Sequence, residues 1–137
     1  MNTYTYEEIN TGHQESFNVT VTREMCDSFR NITGDINPLH KDKETAESRG
    51  YEDTVVFGML TASFLSTLAG VYLPGERSLI QQVEVKFSKP VFPGDELTVT
   101  GKVSEKNDTF RFIVLKVEIK RGSEKVLKGT MQIGVLD

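Results

Sequence analysis

The chain has no tryptophan, a single cysteine, two histidines among 137 residues and no run of lysine or arginine. Each scarcity excludes something. One cysteine, Cys26, supports neither a disulfide framework nor a cysteine-built metal centre, so no metal is expected and a reducing cytoplasm suits the chain. Cys26 itself is expected as a buried thiol. A net charge of −4 and a pI near 5.3 predict no basic face, which argues against nucleic acid as a partner. The first eight residues, Met1 to Glu8, have neither the basic start nor the apolar stretch of an export signal. Charge is also absent from Thr54 through Gly75. That length suits a membrane span, but Gly58, Thr61, Ser63, Ser66, Thr67 and Gly70 interrupt its apolar residues and Pro74-Gly75 ends it. The prediction is a helix buried in a soluble fold, with no membrane partner.

What is present fits one domain spanning residues 1–137. Gln14 to Val21 alternates, with Phe17, Val19 and Val21 on one side, as a half-buried strand does. Thr22 is placed to cap a helix carrying Met25, Phe29 and Ile32 at helical spacing, and Gly34 to close it. Asp42 is a second N-cap, for a short helix ending near Arg49-Gly50. The uncharged helix should run from Gly58 to Tyr72. Its small residues Gly58, Ala62, Ser66 and Gly70 form a stripe suited to tight packing, with Phe64, Leu68 and Val71 filling a core on other faces. From Ser78 onward the pattern is strands. Val83, Val85 and Phe87 alternate in the first, Leu97, Val99 and Val103 in the second, Ile113 to Ile119 in the third, and Leu127, Met131, Ile133 and Val135 in the last. This order predicts an α+β hot-dog fold, an antiparallel sheet wrapped around one long central helix. Such a sheet leaves an edge unpaired, so a homodimer or an assembly of dimers is expected.

The chemistry-bearing residues gather in Thr33-Gly34-Asp35-Ile36-Asn37-Pro38-Leu39-His40. Pro38 has no N–H and keeps Asn37 out of helical geometry, so the helix should stop near Gly34 and the segment should bend. A loop folded at an Asn-Pro corner can aim Asp35 and His40 into one space, with Asn37 and Pro38 shaping the turn. The plain structural alternative is that Asp35 caps a turn and His40 packs on the surface. His13 matches no motif and is expected to be exposed.

Phe29-Arg30-Asn31-Ile32-Thr33-Gly34-Asp35-Ile36-Asn37-Pro38-Leu39-His40, with Ala46 six residues on, resembles the hydratase signature of MaoC-like (R)-specific enoyl-CoA hydratases and dehydratases. The likeness continues through Phe57-Gly58-Met59-Leu60, Ser66 and Phe87-Ser88-Lys89-Pro90-Val91-Phe92-Pro93-Gly94-Asp95. The resemblance implies reversible hydration of a trans-2-enoyl thioester to an (R)-3-hydroxyacyl thioester. Residues matching Asp35 and His40 would activate the water, the amide matching Gly58 would hold the thioester oxygen, and Ser66 would position groups in the site. No cofactor is implied beyond the coenzyme A or acyl carrier that forms part of the substrate. The chemistry is coherent, because adding water to an enoyl thioester needs a base, an acid and a donor for the enolate oxygen. Gly58 begins a helix, where N–H groups are free and the dipole favours negative charge. Close packing is the competing account of both Gly58 and Ser66.

One position departs from the family, which commonly has His-Gly-Met where this chain has Phe57-Gly58-Met59. Related hot-dog thioesterases rely on an acid in or near the central helix, and Gly58 to Tyr72 contains none. A thioesterase, or a subunit that binds acyl thioesters without turning them over, stands as the alternative. Lys86 and Lys89 could meet substrate phosphates, although exposed strand lysines need no such role.

Overall fold

In a computed structural model covering residues 1–137, the alternation near the N-terminus becomes strand β1 (Gln14–Thr20), with Phe17 and Val19 half-buried and Ser16, Asn18 and Thr20 exposed. Helix α1 (Arg23–Thr33) begins where Thr22 Oγ1 accepts the Met25 N–H at 3.1 Å. It ends at Gly34, whose φ of 72° is the left-handed conformation that glycine adopts at least cost. Asp42 caps the short helix α2 (Lys43–Ser48) as expected. Helix α1 lies shallowly. Only Cys26 is buried, Met25 and Phe29 are half-buried, and Ile32, expected on the apolar face, is 81% exposed. Burial pushes the Cys26 thiol pKa up. His13 is also not as expected. Its ring packs edge-on against Tyr4, centroids 4.7 Å apart, and Nε2 lies 3.4 Å from Glu15, leaving it only partly exposed.

The central helix is not uniform. Helix α3 (Gly58–Thr67) continues into a π-helical turn, Leu68–Tyr72, that brings both Leu68 and Ala69 fully into the core. The buried face is Leu60, Thr61, Leu65, Leu68 and Ala69. The small-residue stripe does not face the core, because at 100° per residue it lies on the helix flank. Ala62 and Gly70 are half-buried, Ser66 is exposed, Phe64 is half-buried and Val71 is 37% exposed.

Four further strands, β2 (Ser78–Phe87), β3 (Glu96–Asn107), β4 (Phe112–Arg121) and β5 (Glu124–Val135), join β1 in one antiparallel sheet of order β1-β3-β4-β5-β2. Leu97, Val99, Val103, Ile113, Leu115, Val117, Ile119, Leu127, Met131 and Ile133 turn inward onto the central helix, as their alternation requires. This is the hot-dog layout. The strand after the helix is an edge, however, and its alternating residues Val83 and Phe87 are about half exposed, together with Leu79 and Ile80. The acidic average also misleads. Lys86, Lys102, Lys116 and Lys128 lie exposed on four adjacent strands, so the sheet does carry a basic outer face.

Wrapping needs close approach. In one row across the sheet, Gly101 and Gly129 flank Val117, and Val85 follows on β2. A Cβ at Gly129 would meet the Glu84 carbonyl oxygen at 2.0 Å, which is backbone, whereas one at Gly101 would meet the movable Leu68 Cδ2 at 2.8 Å. Gly129→Ala is therefore expected to cost about 1–3 kcal/mol in urea unfolding and Gly101→Ala clearly less. Equal costs would show that β2 is not held this close to β5.

Candidate active site

The Thr33–His40 loop is folded by its own side chains. Thr33 Oγ1 donates to the Phe29 carbonyl at 2.9 Å and accepts the Asp35 N–H at 3.2 Å. Asp35 Oδ1 accepts the Asn37 N–H at 3.0 Å, and Asn37 Oδ1 accepts the Leu39 N–H at 3.0 Å. Three turns in succession are thus each closed by a side chain onto the amide two residues ahead. Pro38 then opens a 3₁₀ turn, Pro38–His40, that Asn37 caps. Asp35 does cap a turn, but with one oxygen only, and Oδ2 has no partner within the chain.

His40 is fixed from two sides. Its Nδ1 lies 2.6 Å from the Val55 carbonyl oxygen, and its ring stacks on buried Phe57 with centroids 4.1 Å apart. A carbonyl only accepts, so Nδ1 carries the proton of the neutral ring and Nε2 is left as an acceptor. Phe57, where the resembled family commonly has histidine, supplies an apolar wall in place of a polar partner. Phe29 also packs on Phe57, with ring centroids 5.1 Å apart.

Val55 and Val56 connect the loop to the helix. The Val55 N–H donates to the Leu39 carbonyl at 3.2 Å and the Val56 N–H to the Val91 carbonyl at 2.8 Å. The segment Pro90–Asp95 is held in turn by Asp95 Oδ2, which accepts the Phe92 N–H at 2.9 Å and Arg121 Nη1 at 2.6 Å. The Asp95 carboxylate raises the Arg121 pKa, with Glu124 contributing and burial opposing. On the other flank Asp53 is held below the usual carboxylate range. The cause is chiefly the Thr54 N–H at 2.7 Å; burial opposes it and Arg23, also at 2.7 Å, adds to it.

Two residues beyond Val56, α3 starts at Gly58. Phe57 caps it with no side-chain hydrogen bond, and neither the Gly58 nor the Met59 N–H has an acceptor in the chain. These free donors sit at the positive end of the helix. Asp35, His40, Gly58, Phe57 and Phe87 line one cavity of about 450 Å³. An adjoining one of about 310 Å³ shares His40, Gly58 and Phe87 and extends past Ser88, Lys89 and Val126.

Of the residues singled out in the sequence, Asp35, His40 and Gly58 come together, while Asn37 and Pro38 build the turn beside them. Ser66 does not join them. It is exposed, about 12 Å along the helix from Gly58, and lines neither cavity. Three contributors escaped the sequence reading. The Val55 carbonyl carries no side-chain signal, and Phe87 read as one apolar residue of an alternating strand. Thr61 read as part of a buried helix, yet its Oγ1 is buried without a partner in the wall of the smaller cavity.

A sheet wrapped around a helix whose open N-terminus lies beside a carboxylate and an imidazole is a hot-dog fold with its candidate site at the helix start, and its relatives are named as hydratases and dehydratases. The chain belongs to the MaoC-like domain family, whose model matches residues 6–125. It is 28% identical over 134 residues to the (R)-specific enoyl-CoA hydratase of Rhodospirillum rubrum, covering 95% of this chain and 90% of that one. A mitochondrial 3-hydroxyacyl-[acyl-carrier-protein] dehydratase of Arabidopsis thaliana is 28% identical over 110 residues, which is 80% of this chain and 62% of that protein. The solved (R)-hydratase from A. caviae involved in PHA biosynthesis superposes with a TM-score of 0.90 at 28% identity, covering 94% of this chain and 98% of that one.

Because Phe57 positions the His40 ring, Phe57→Leu should lose about 1–2 kcal/mol of stability. Turnover should fall more than about tenfold, since small misplacements of a reacting group are costly. A variant that melts lower but keeps wild-type turnover would show that the stacking serves the core alone.

Proposed function

We propose that the chain reversibly hydrates a trans-2-enoyl thioester to an (R)-3-hydroxyacyl thioester, as the names of its relatives suggest for those proteins. The observation that carries this reading is the shared cavity of Asp35, His40 and the open start of α3. A water held between Asp35 Oδ2 and His40 Nε2 has an acceptor for each of its protons. As its oxygen bonds to the β-carbon, one of the pair takes a proton, and the enolate charge collects on the thioester oxygen. The Gly58 N–H, with that of Met59 beside it, is the donor for that oxygen. The α-carbon then takes a proton back from the pair, so one water is added and nothing is left over. Dehydration follows the same path in reverse. The thioester is presented on coenzyme A or on an acyl carrier.

The exposed edge of β2 supports a homodimer. Leu79, Ile80 and Val83 on a strand paired on one side only are the feature a second copy would cover by continuing the sheet. Neither membrane nor nucleic acid enters the reading, and no helix is long and apolar enough to cross a bilayer.

In an assay following the enoyl chromophore, Asp35→Asn and His40→Ala should each lower kcat/KM by about 10²–10⁴-fold while the circular dichroism spectrum stays that of the parent. Release of free thiol without loss of the chromophore would make the protein a thioesterase. Substrate binding with no turnover in the parent would make it a binding subunit.

A further inference from the structure

The outer face of the sheet sets lysine directly against lysine. Lys86 stands opposite Lys128 on β2 and β5, Lys102 opposite Lys116 on β3 and β4, and Lys120 opposite Lys125 on β4 and β5. Opposed like charges weaken strand pairing. Glu118 relieves the last pair, lying 3.5 Å from Lys120 Nζ and 3.3 Å from Lys125 Nζ, and it also stands across from Lys128. The Lys102–Lys116 pair has no such relief, since its outer neighbours in the register are Gln14 and Thr130. Lys86, Lys102, Lys116 and Lys128 form no ion pair, and the lysines that do are Lys41, Lys43, Lys120 and Lys125. A chain of net charge −4 thus collects six of its ten lysines on one face. Lys86, Lys116, Lys125 and Lys128, with Glu84 and Glu118, line a concavity of about 480 Å³ there.

We propose that this face docks an acidic protein surface, and that the docked protein is the carrier of the acyl thioester; this rests on the hydration reading above. The extent of the patch favours a protein over a small anion. Lys86, Lys128, Lys116 and Lys102 occupy four successive strands, about 14 Å from first to last at ordinary strand spacing. A diphosphate reaches one or two of them, while a helix bearing aspartate and glutamate reaches all. Exposed charges of one sign also raise the rate at which such a partner arrives. The position suits delivery. Lys86 adjoins Phe87 and Lys125 adjoins Val126, and Phe87 and Val126 line the cavity shared by His40 and Gly58, whose wall continues along Ser88 and Lys89.

The test compares one enoyl chain on an acidic acyl carrier protein and on coenzyme A, with the parent and the Lys116→Glu/Lys128→Gln variant. Binding of the carrier protein, measured by fluorescence anisotropy, should weaken at least about tenfold in the variant and in the parent at high salt. Turnover of the coenzyme A ester should be unchanged. The double variant should melt no lower than the parent, because it places an acid across from Lys102 and removes one charge of the Lys86–Lys128 pair, so lost binding would not be lost folding. Equal carrier binding by parent and variant, or none by the parent, would overturn the proposal. A matching loss on the coenzyme A ester would assign the lysines to substrate phosphates, and a changed sedimentation coefficient would assign the face to a second copy; either overturns it too. If the parent binds the carrier through these lysines but hydrates neither ester, the hydration reading fails and the docking face stands.

Discussion

The bond from His40 Nδ1 to the Val55 carbonyl is the constraint through which the rest of the site acts. It orients the ring, assigns the proton of the neutral ring to one nitrogen and leaves the other as an acceptor. It also ties two stretches of chain that secondary structure alone would leave independent, the bent loop after α1 and the extended segment before α3. Because the Val55 N–H returns to Leu39 and the Val56 N–H goes to Val91, that segment is held on both sides. The start of α3 is therefore placed relative to the imidazole by backbone hydrogen bonds. A donor pair and a proton acceptor held this way need little reorganisation when charge develops between them.

The sheet contributes by what it does not cover. Its inner face buries Leu60, Thr61, Leu65, Leu68 and Ala69 of the central helix, while the first residues of α3 project beyond the core toward Phe87 on the edge strand. A Cβ on Gly58 would stand 3.1 Å from the Phe87 ring, so the helix start and the cavity wall are as close as glycine permits. The edge strand is thus both a wall of the site and the place where the sheet is open to a second copy.

Much of this was legible in the sequence, for physical reasons that differ by element. Thr22, Gly34 and Asp42 announced helix ends because capping is a local interaction. The alternation in β3, β4 and β5 announced inward faces because these strands have neighbours on both sides. The same pattern misled in β2, whose Val83 and Phe87 alternate correctly but sit on an edge, a property of topology that no window of residues contains. The π-helical turn at Leu68–Tyr72 and the outward turn of Ser66 likewise follow from how the helix meets the sheet. Asp35 and His40 were legible as a pair because Asn37 and Pro38 bend the chain between them. The carbonyl that orients His40 was not, since any residue at position 55 would offer one.

Charge shows the same limit in another form. Net charge is a sum over the chain, and a sum of −4 says nothing about where lysines meet once strands pair. Lys102 and Lys116 become neighbours through the β3–β4 register, and Lys86 and Lys128 through the β2–β5 register. Strand pairing therefore creates a repulsive face from a sequence that is acidic on average. Repulsion that weakens the sheet while leaving the core untouched is a cost borne by the free protein and relieved by an anionic partner. The two faces of the sheet are thus governed by different forces. The inner face is governed by packing, with a few polar bonds beside it orienting Asp35 and His40, and the outer face by its charge.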